Sequence, residues 1–185
     1  MQIGEEPDSG WVDGEFELFA NGNLNLPMTI YCHDMASNAP QEFISLQELG
    51  DQTNFSRYSY PDGEIVVQFE KIRVSPFNLK IDATDRTFAK IIDSRSDQVF
   101  DPPDYGSAKG CTAEESQPVS GVANIDLTGT QYALPAVDGL YVAQGKDMSQ
   151  PVIALSANRQ QLDLEINGRC GWLYPQTGLQ LHLVN

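Results

Sequence analysis

The sequence predicts a mainly β (β-rich α+β) fold: a compact domain of many short antiparallel strands with one or two short helices. Two observations carry this prediction. Glycine and proline interrupt the chain at short intervals, and no long window places apolar residues at helical spacing. Between these interruptions lie short strand-like runs, and several are bounded by Asn-Gly or Asp-Gly pairs, which are typical of hairpin turns.

The strand-like runs are taken in chain order. Residues 15–20 and 28–32 come first, on either side of the Asn21-Gly22 turn signal. Residues 64–74 form the longest run, but neither of its alternating faces is cleanly apolar, since Val67 shares a face with Lys71. We therefore expect a bulge here, or burial on both sides. Further short runs lie at residues 42–46, 79–83, 121–130, 131–135, 139–144, 151–156 and 161–167.

Two short helices are predicted, near residues 35–45 and 87–92. The second has Asp85 as a candidate N-cap, followed by Phe88, Ile91 and Ile92 on one side. Residues 93–110 are the most loop-like segment and could act as a hinge. This suggests an N-terminal lobe at residues 13–95 and a C-terminal β lobe at residues 108–185 of one domain spanning residues 13–185.

The net charge of the chain limits the kinds of partner that it can bind. Among 185 residues, Lys and Arg number 11 against 26 Asp and Glu, a formal net charge of -15. Such a chain repels phosphate backbones and anionic lipid, so nucleic-acid partners are not expected. No apolar run approaches the ~20 residues that span a bilayer, so membrane insertion is not expected either.

Residues 1–12 are expected to be a leader or linker. Their acidic sequence has neither the basic start nor the apolar segment of a signal peptide. We expect the chain to be a piece of a longer secreted protein, whose signal peptide would lie elsewhere.

The pair Cys32 and His33 raises the question of a catalytic or metal site. Neighbouring residues of a strand point to opposite faces, so these two cannot act on each other. Cys32, Cys111 and Cys170 with one histidine would be an allowed zinc ligand set, but the long spacings lack the local Cys-x-x-Cys element that such sites usually contain. No H-E-x-x-H or G-x-S-x-G motif occurs, and no catalytic residues are predicted.

Acidic loops offer candidate calcium ligands. Asp82 and Asp85 are close in sequence, and Asp101 and Asp104 follow in "DPPD". Calcium takes six to eight oxygen ligands, but no EF-hand pattern is present. Solvated acidic loops are the alternative, and no other cofactor is indicated.

The segment "NFSRYSYPDG" combines aromatic rings with an arginine, a composition that many modules use to grip glycans or proteins. We predict an exposed binding loop here with Phe55, Arg57, Tyr58 and Tyr60 as its contact residues. The alternative is that these rings pack in the core.

A string of motifs in order resembles a known family. "DGEFELFANGN", "MTIYCHDMASNAPQEFISL", "FEKIRVSPFNLKIDATDRTFA", "YGSAKGC", "VANIDLTGTQYAL" and "RCGWLYP" resemble the GON domain over about residues 13–175. This is the C-terminal module of a subfamily of ADAMTS metalloproteases, and the present version resembles the bacterial secreted form. The resemblance implies an accessory part of a secreted or cell-surface protein. Zinc or peptidase labels in the family would belong to a separate protease domain.

The resemblance also implies that the three cysteines are structural. Cys111 and Cys170 lie at predicted strand or loop ends, where a bridge could join two pieces of the C-terminal lobe. The expected disulfide is Cys111 to Cys170, with Cys32 a buried thiol, and Cys32 to Cys111 is the alternative.

The predicted function is that of an extracellular, non-catalytic interaction module that binds a protein or glycan partner at the cell surface or matrix. Two alternatives remain: a carboxylate-based hydrolase acting on a surface polymer, and a passive structural spacer. A pocket holding two close carboxylates of raised pKa would favour the hydrolase. A surface with exposed aromatic rings would favour the interaction module.

Overall fold

The computed structural model describes residues 10–47, 53–96, 101–112 and 119–184. The regular secondary structure of these residues is β-strand, apart from one 3₁₀ turn at Ala20–Gly22. The first eight strands are β1 (Gly14–Phe19), β2 (Pro27–His33), β3 (Gln41–Ser45), β4 (Phe55–Tyr60), β5 (Gly63–Phe69), β6 (Lys71–Val74), β7 (Ile81–Asp82) and β8 (Ala89–Asp93). The other eight are β9 (Ala108–Gly110), β10 (Gly121–Asp126), β11 (Tyr132–Ala133), β12 (Tyr141–Lys146), β13 (Val152–Leu155), β14 (Gln161–Ile166), β15 (Arg169–Pro175) and β16 (His182–Leu183).

Five strands form the first sheet, in the order β1-β2-β3-β6-β7 with antiparallel neighbours. Alternation in the sequence determines which face is buried. In β2, Met28, Ile30 and Cys32 are buried while the residues between them are more exposed. One face of this sheet therefore packs into the protein.

Nine strands form the second sheet around β4. Its main path runs β12-β15-β9-β4-β10-β14-β13, and β5 followed by β8 lies on the other side of β4. The start of β4 pairs with β10, while its end pairs in parallel with β9. The path therefore divides at β4, with β9 and β15 on one branch and β10 and β14 on the other. Strands β11 and β16 form a separate two-stranded sheet.

Both large sheets contribute to one core. Ile30, Ile44 and Ile72 of the first sheet belong to the same buried cluster as Val67 and Ile125 of the second. Burial of such apolar side chains is the main stabilising term of the fold. Within the described part of the chain, no helix is long and apolar enough to cross a membrane.

The β-rich fold prediction is confirmed, but both helix positions are wrong. Residues 41–45 form strand β3, and Ala89–Asp93 form strand β8, paired along its length with β5. Asp85 does accept a hydrogen bond from the Thr87 backbone N–H at 2.9 Å, as an N-cap would. The chain then extends as a strand because the free side of β5 supplies hydrogen-bond partners for it.

The long run at residues 64–74 divides at Glu70 into two strands. β5 belongs to the second sheet and β6 to the first, so each part buries its own apolar face. This change of sheet explains why the whole run lacks one clean apolar face. The second sheet takes strands from both predicted lobes, and its strand β9 lies within the segment at residues 93–110 that the sequence predicts to be a loop. Of the predicted leader, residues 1–9 lie outside the described residues.

Candidate functional site

The predicted binding segment is a central strand rather than a loop. Residues 55–60 form β4, and Phe55 and Tyr58 are each only 8% exposed. The prediction of an exposed loop is therefore wrong, because this short polar-looking segment is covered on both sides by neighbouring strands. Tyr58 and Tyr60 lie on the same face of β4, and both line a surface cleft. Phe55 and Arg57 do not line it: the Arg57 guanidinium pairs with Glu64 and lies over the Phe55 ring.

Three strands place one row of side chains on the floor of this cleft. Tyr58 of β4 is the register partner of Lys109 in β9, and Lys109 is the partner of Trp172 in β15. Directly paired residues project to the same face of a sheet. Their chain neighbours Ala108 and Leu173 are fully buried in the core, so Lys109 and Trp172 project away from it.

Aromatic rings dominate this floor. Lys109 Nζ lies 5.8 Å from the ring centroids of both Tyr58 and Tyr60. Trp172 packs against Tyr174 with the ring centroids 4.3 Å apart. The Tyr58 hydroxyl lies 3.0 Å from Ser107 Oγ, which fixes the ring from the far end. Strand geometry and these contacts hold the rings in place before any ligand arrives.

Two loops form the opposite wall, and Arg86 joins them. Its guanidinium donates to the Thr84 carbonyl at 2.6 Å, to the Pro102 carbonyl at 2.6 Å and to Asp104 Oδ1 at 2.9 Å. The loop between β7 and β8 is thereby tied to the loop that leads into β9. Asp101 also lines this wall. The cleft between floor and wall holds about 570 Å³, within the range of ligand-binding sites.

Burial alters the titration of the cleft residues. It raises the pKa of the Tyr58 and Tyr60 hydroxyls, so both remain neutral donors at physiological pH. Burial, and then repulsion from Arg95, lowers the pKa of Lys109. Burial also raises the pKa of Asp104, although attraction to Arg86 opposes the rise.

Among the described cleft residues, the Nε–H of Arg86 and the Nε1–H of Trp172 are buried without a hydrogen bond of ordinary geometry. The Trp172 side chain is near enough to Tyr58 to oppose the rise in the pKa of that hydroxyl, but the two do not meet hydrogen-bond geometry.

The disulfide prediction is confirmed, and the bridge lies beside the cleft. Cys111 and Cys170 are joined, while Cys32 is a buried free thiol of the first sheet. Burial raises the pKa of the Cys32 thiol, which disfavours the reactive thiolate. Gly110 pairs with Gly171, so the bridge connects the next residues of the two strands that carry Lys109 and Trp172.

Sequence reasoning missed Lys109, Trp172 and Arg86 as cleft residues. The predicted disulfide carried a signal for two of them. If Cys111 and Cys170 are bridged across antiparallel strands, then the residues two positions before the first and two after the second face each other. Those residues are Lys109 and Trp172. Arg86 had no comparable signal, since its role depends on two loops meeting.

The proposed calcium ligands mostly have protein partners. Asp82 accepts hydrogen bonds from Thr84, Asp85 pairs with Arg73 and Asp104 with Arg86, while Asp101 lines the cleft. Within the described residues, no group of three or more His, Cys, Asp or Glu side chains is arranged to hold a metal ion. Calcium binding stays a prediction.

His33 has a structural partner. Its Nδ1 lies 2.7 Å from Asp13 Oδ2, and Asp13 also accepts the Met35 backbone N–H at 2.9 Å. Cys32 is buried in the core while His33 makes this contact, as the alternation of strand β2 predicts. The Asp13 contacts connect the start of β1 to the turn after β2.

The structure therefore defines a class of protein: a β-rich, disulfide-bonded domain with an aromatic surface cleft. The family model for the GON domain matches residues 5–63 and 57–184. The chain belongs to the GON domain family, which is consistent with an accessory module. No curated protein and no solved structure matches the chain.

Proposed function

We propose that this chain is a non-catalytic accessory module of a secreted or cell-surface protein, and that it binds a protein or glycan partner through the cleft. The observation that carries the proposal is the row of Tyr58, Lys109 and Trp172, held on three strands opposite the wall tied by Arg86. Preorganised aromatic rings beside polar groups are typical of recognition sites.

The disulfide supports an extracellular location, because such bridges persist in oxidising compartments. Membership of the GON family supports an accessory role. The formal net charge of -15 argues against nucleic acid and anionic lipid as partners.

One observation favours a carboxylate-based hydrolase as the second candidate. Asp101 and Asp104 both line the cleft, and the pKa of Asp104 is raised by burial. However, Asp104 accepts a hydrogen bond from Arg86, which also donates to the backbone carbonyls of Thr84, Pro102 and Pro103. This contact gives Asp104 a structural role, and its attraction to Arg86 opposes the rise in pKa that burial produces.

The test is a glycan array combined with a pull-down from extracellular extracts, using the wild-type chain, Trp172→Ala and Phe77→Ala. Phe77 is a matched control because its ring is 78% exposed and lies outside the cleft. We expect a partner that is retained by Phe77→Ala and lost by Trp172→Ala, with circular dichroism confirming that both variants fold. Binding unaffected by Trp172→Ala, or no partner at all, would refute the proposal. Cleavage of a bound polymer that stops in Asp104→Asn would establish the hydrolase.

A further inference from the structure

We propose that the cleft binds a neutral glycan, with a pyranose ring seated against Trp172. This inference rests on the proposed binding function and names the class of ligand. It follows from the charges, the aromatic floor and the dimensions of the cleft.

The charges of the cleft select against charged ligands. Among the described residues that line it, two carboxylates, Asp101 and Asp104, balance the formal charges of two cations, Arg86 and Lys109. An acidic sugar would meet the carboxylates and the overall net charge of -15. A cationic ligand would meet Arg86 and Lys109. A neutral polyol suits this mixture because each hydroxyl both donates and accepts hydrogen bonds.

The aromatic rings on the floor of the cleft suit the apolar face of a sugar ring. A pyranose ring has a face of C–H groups, which pack favourably against the electron-rich faces of aromatic rings. Tyr58, Tyr60 and Trp172 supply such rings.

The size of the cleft favours a saccharide over a folded protein. Its volume of about 570 Å³ falls within the range of small-ligand sites. A stable protein interface involves about 20–30 residues on each side, whereas nine of the described residues line this cleft. A protein partner would therefore need contacts well beyond it.

Intrinsic fluorescence offers a direct test, because the chain has two tryptophans and only Trp172 lines the cleft. Trp11→Phe leaves Trp172 as the reporter. Trp172→Phe leaves Trp11, which is 58% exposed, as the matched control. Each variant is titrated with neutral hexasaccharides of glucose, galactose, mannose and N-acetylglucosamine, and with oligomers of galacturonic acid as the acidic probe.

We expect at least one neutral hexasaccharide to change the emission of Trp11→Phe and to leave that of Trp172→Phe unchanged. In calorimetry, Lys109→Gln should bind it about tenfold more weakly, a loss of about 1.4 kcal/mol. Raising NaCl from about 0.05 M to about 0.5 M should change the affinity for the hexasaccharide little, because a neutral ligand forms no ion pair with the protein.

Two results would overturn the inference. The first is binding of the acidic oligomers alone, with strong weakening by salt. The second is no emission change with any saccharide while a protein partner is lost by Trp172→Ala, which would leave the proposed function standing. If neither a saccharide nor a protein binds through Trp172, both proposals fail.

Discussion

Gly110 and Gly121 show how a single residue can determine strand packing. The backbones of β9 and β10 approach so closely that a Cβ atom on Gly121 would overlap the backbone of Lys109. A Cβ on Gly110 would overlap the Val119 carbonyl. Glycine is required at both positions for space, since neither has the positive φ that would also favour it.

We expect Gly121→Ala to lower the free energy of unfolding by about 3 kcal/mol or more, because backbone rather than a flexible side chain must move. Gly14→Ala is the matched control in a strand, since the nearest atom to its Cβ would be a Phe16 ring carbon at 4.0 Å. Urea denaturation measures both. Equal stability of the two variants would contradict the close approach of β9 and β10.

Asp93 carries an acid-sensitive contact at the edge of the second sheet. The Arg95 side chain donates to Asp93 Oδ1 at 2.9 Å and to Oδ2 at 2.6 Å. These hydrogen bonds lower the pKa of Asp93 to about 2. Arg95 in turn lies 5.1 Å from the centroid of the Tyr60 ring, so this pair supports the cleft.

Because the folded-state pKa of Asp93 is depressed, its contribution to stability is present above the unfolded pKa of ~3.9 and is lost as pH falls toward 2. Between about pH 4 and about pH 2, the melting temperature of Asp93→Asn should therefore fall less than that of the wild type. Thermal melts across this range provide the measurement, with Asp138→Asn, at an exposed turn carboxylate, as the control. The idea fails if Asp93→Asn and Asp138→Asn show the same pH profile.

At the scale of elements, β9 depends on its covalent link to β15. It has three residues, pairs with β4 through two of them, and is tied to β15 by the Cys111–Cys170 bridge. It also presents Lys109 to the cleft. A short strand of this kind gains little from hydrogen bonds alone.

The double variant Cys111→Ser with Cys170→Ser should lower the free energy of unfolding by about 4 kcal/mol, the chain-entropy estimate for cysteines separated by 59 residues. Urea midpoints with and without a reductant give the measurement. The reductant should destabilise the wild type to a similar degree and leave the double variant unchanged. A variant as stable as the oxidised wild type would show that β9 is held by its packing alone.

At the scale of the whole molecule, hydrogen bonds tie the small β11–β16 sheet and the residue before it to the first sheet. The Tyr132 hydroxyl donates to the Thr29 carbonyl of β2 at 2.9 Å, and Gln131 Nε2 donates to the Pro27 carbonyl at 3.1 Å. Tyr105 and Tyr132 are each 1% exposed, and Tyr141 packs against the core. Burial raises the pKa of all three hydroxyls above that of an exposed tyrosine.

A raised folded-state pKa means that stability is complete below the unfolded pKa of ~10 and falls as pH rises beyond it. Each such tyrosine adds a slope of about 1.4 kcal/mol per pH unit. Tyr132→Phe should reduce the dependence of the unfolding free energy on pH above pH ~10 by the contribution of one tyrosine, about 1.4 kcal/mol per pH unit. Urea titration at several pH values measures this dependence. Tyr31→Phe, at a half-buried ring, is the control, and equal slopes for both would contradict this role of burial.

Local sequence determined much of the architecture. Frequent turn residues and short apolar runs predicted a β-rich fold, and the ordered motifs predicted the GON family and the Cys111–Cys170 bridge. These features depend on residues close in the chain or on motifs that can be compared directly. Backbone turn preferences act within a few residues, so sequence patterns report them well.

The pairing of distant segments determined two features that the sequence did not predict: the strand conformation of β8 and the assembly of the cleft. Phe88, Ile91 and Ile92 fit a helix by spacing, but β5 provided a strand partner, and Ile91 and Ile92 became half-exposed residues of an edge strand. The cleft likewise combines β4, two loops, β9 and β15, which are separated by up to about a hundred residues in the chain. No local sequence pattern predicts that these segments lie together, because hydrogen bonding between strands and burial of their faces depend on which distant segments become neighbours.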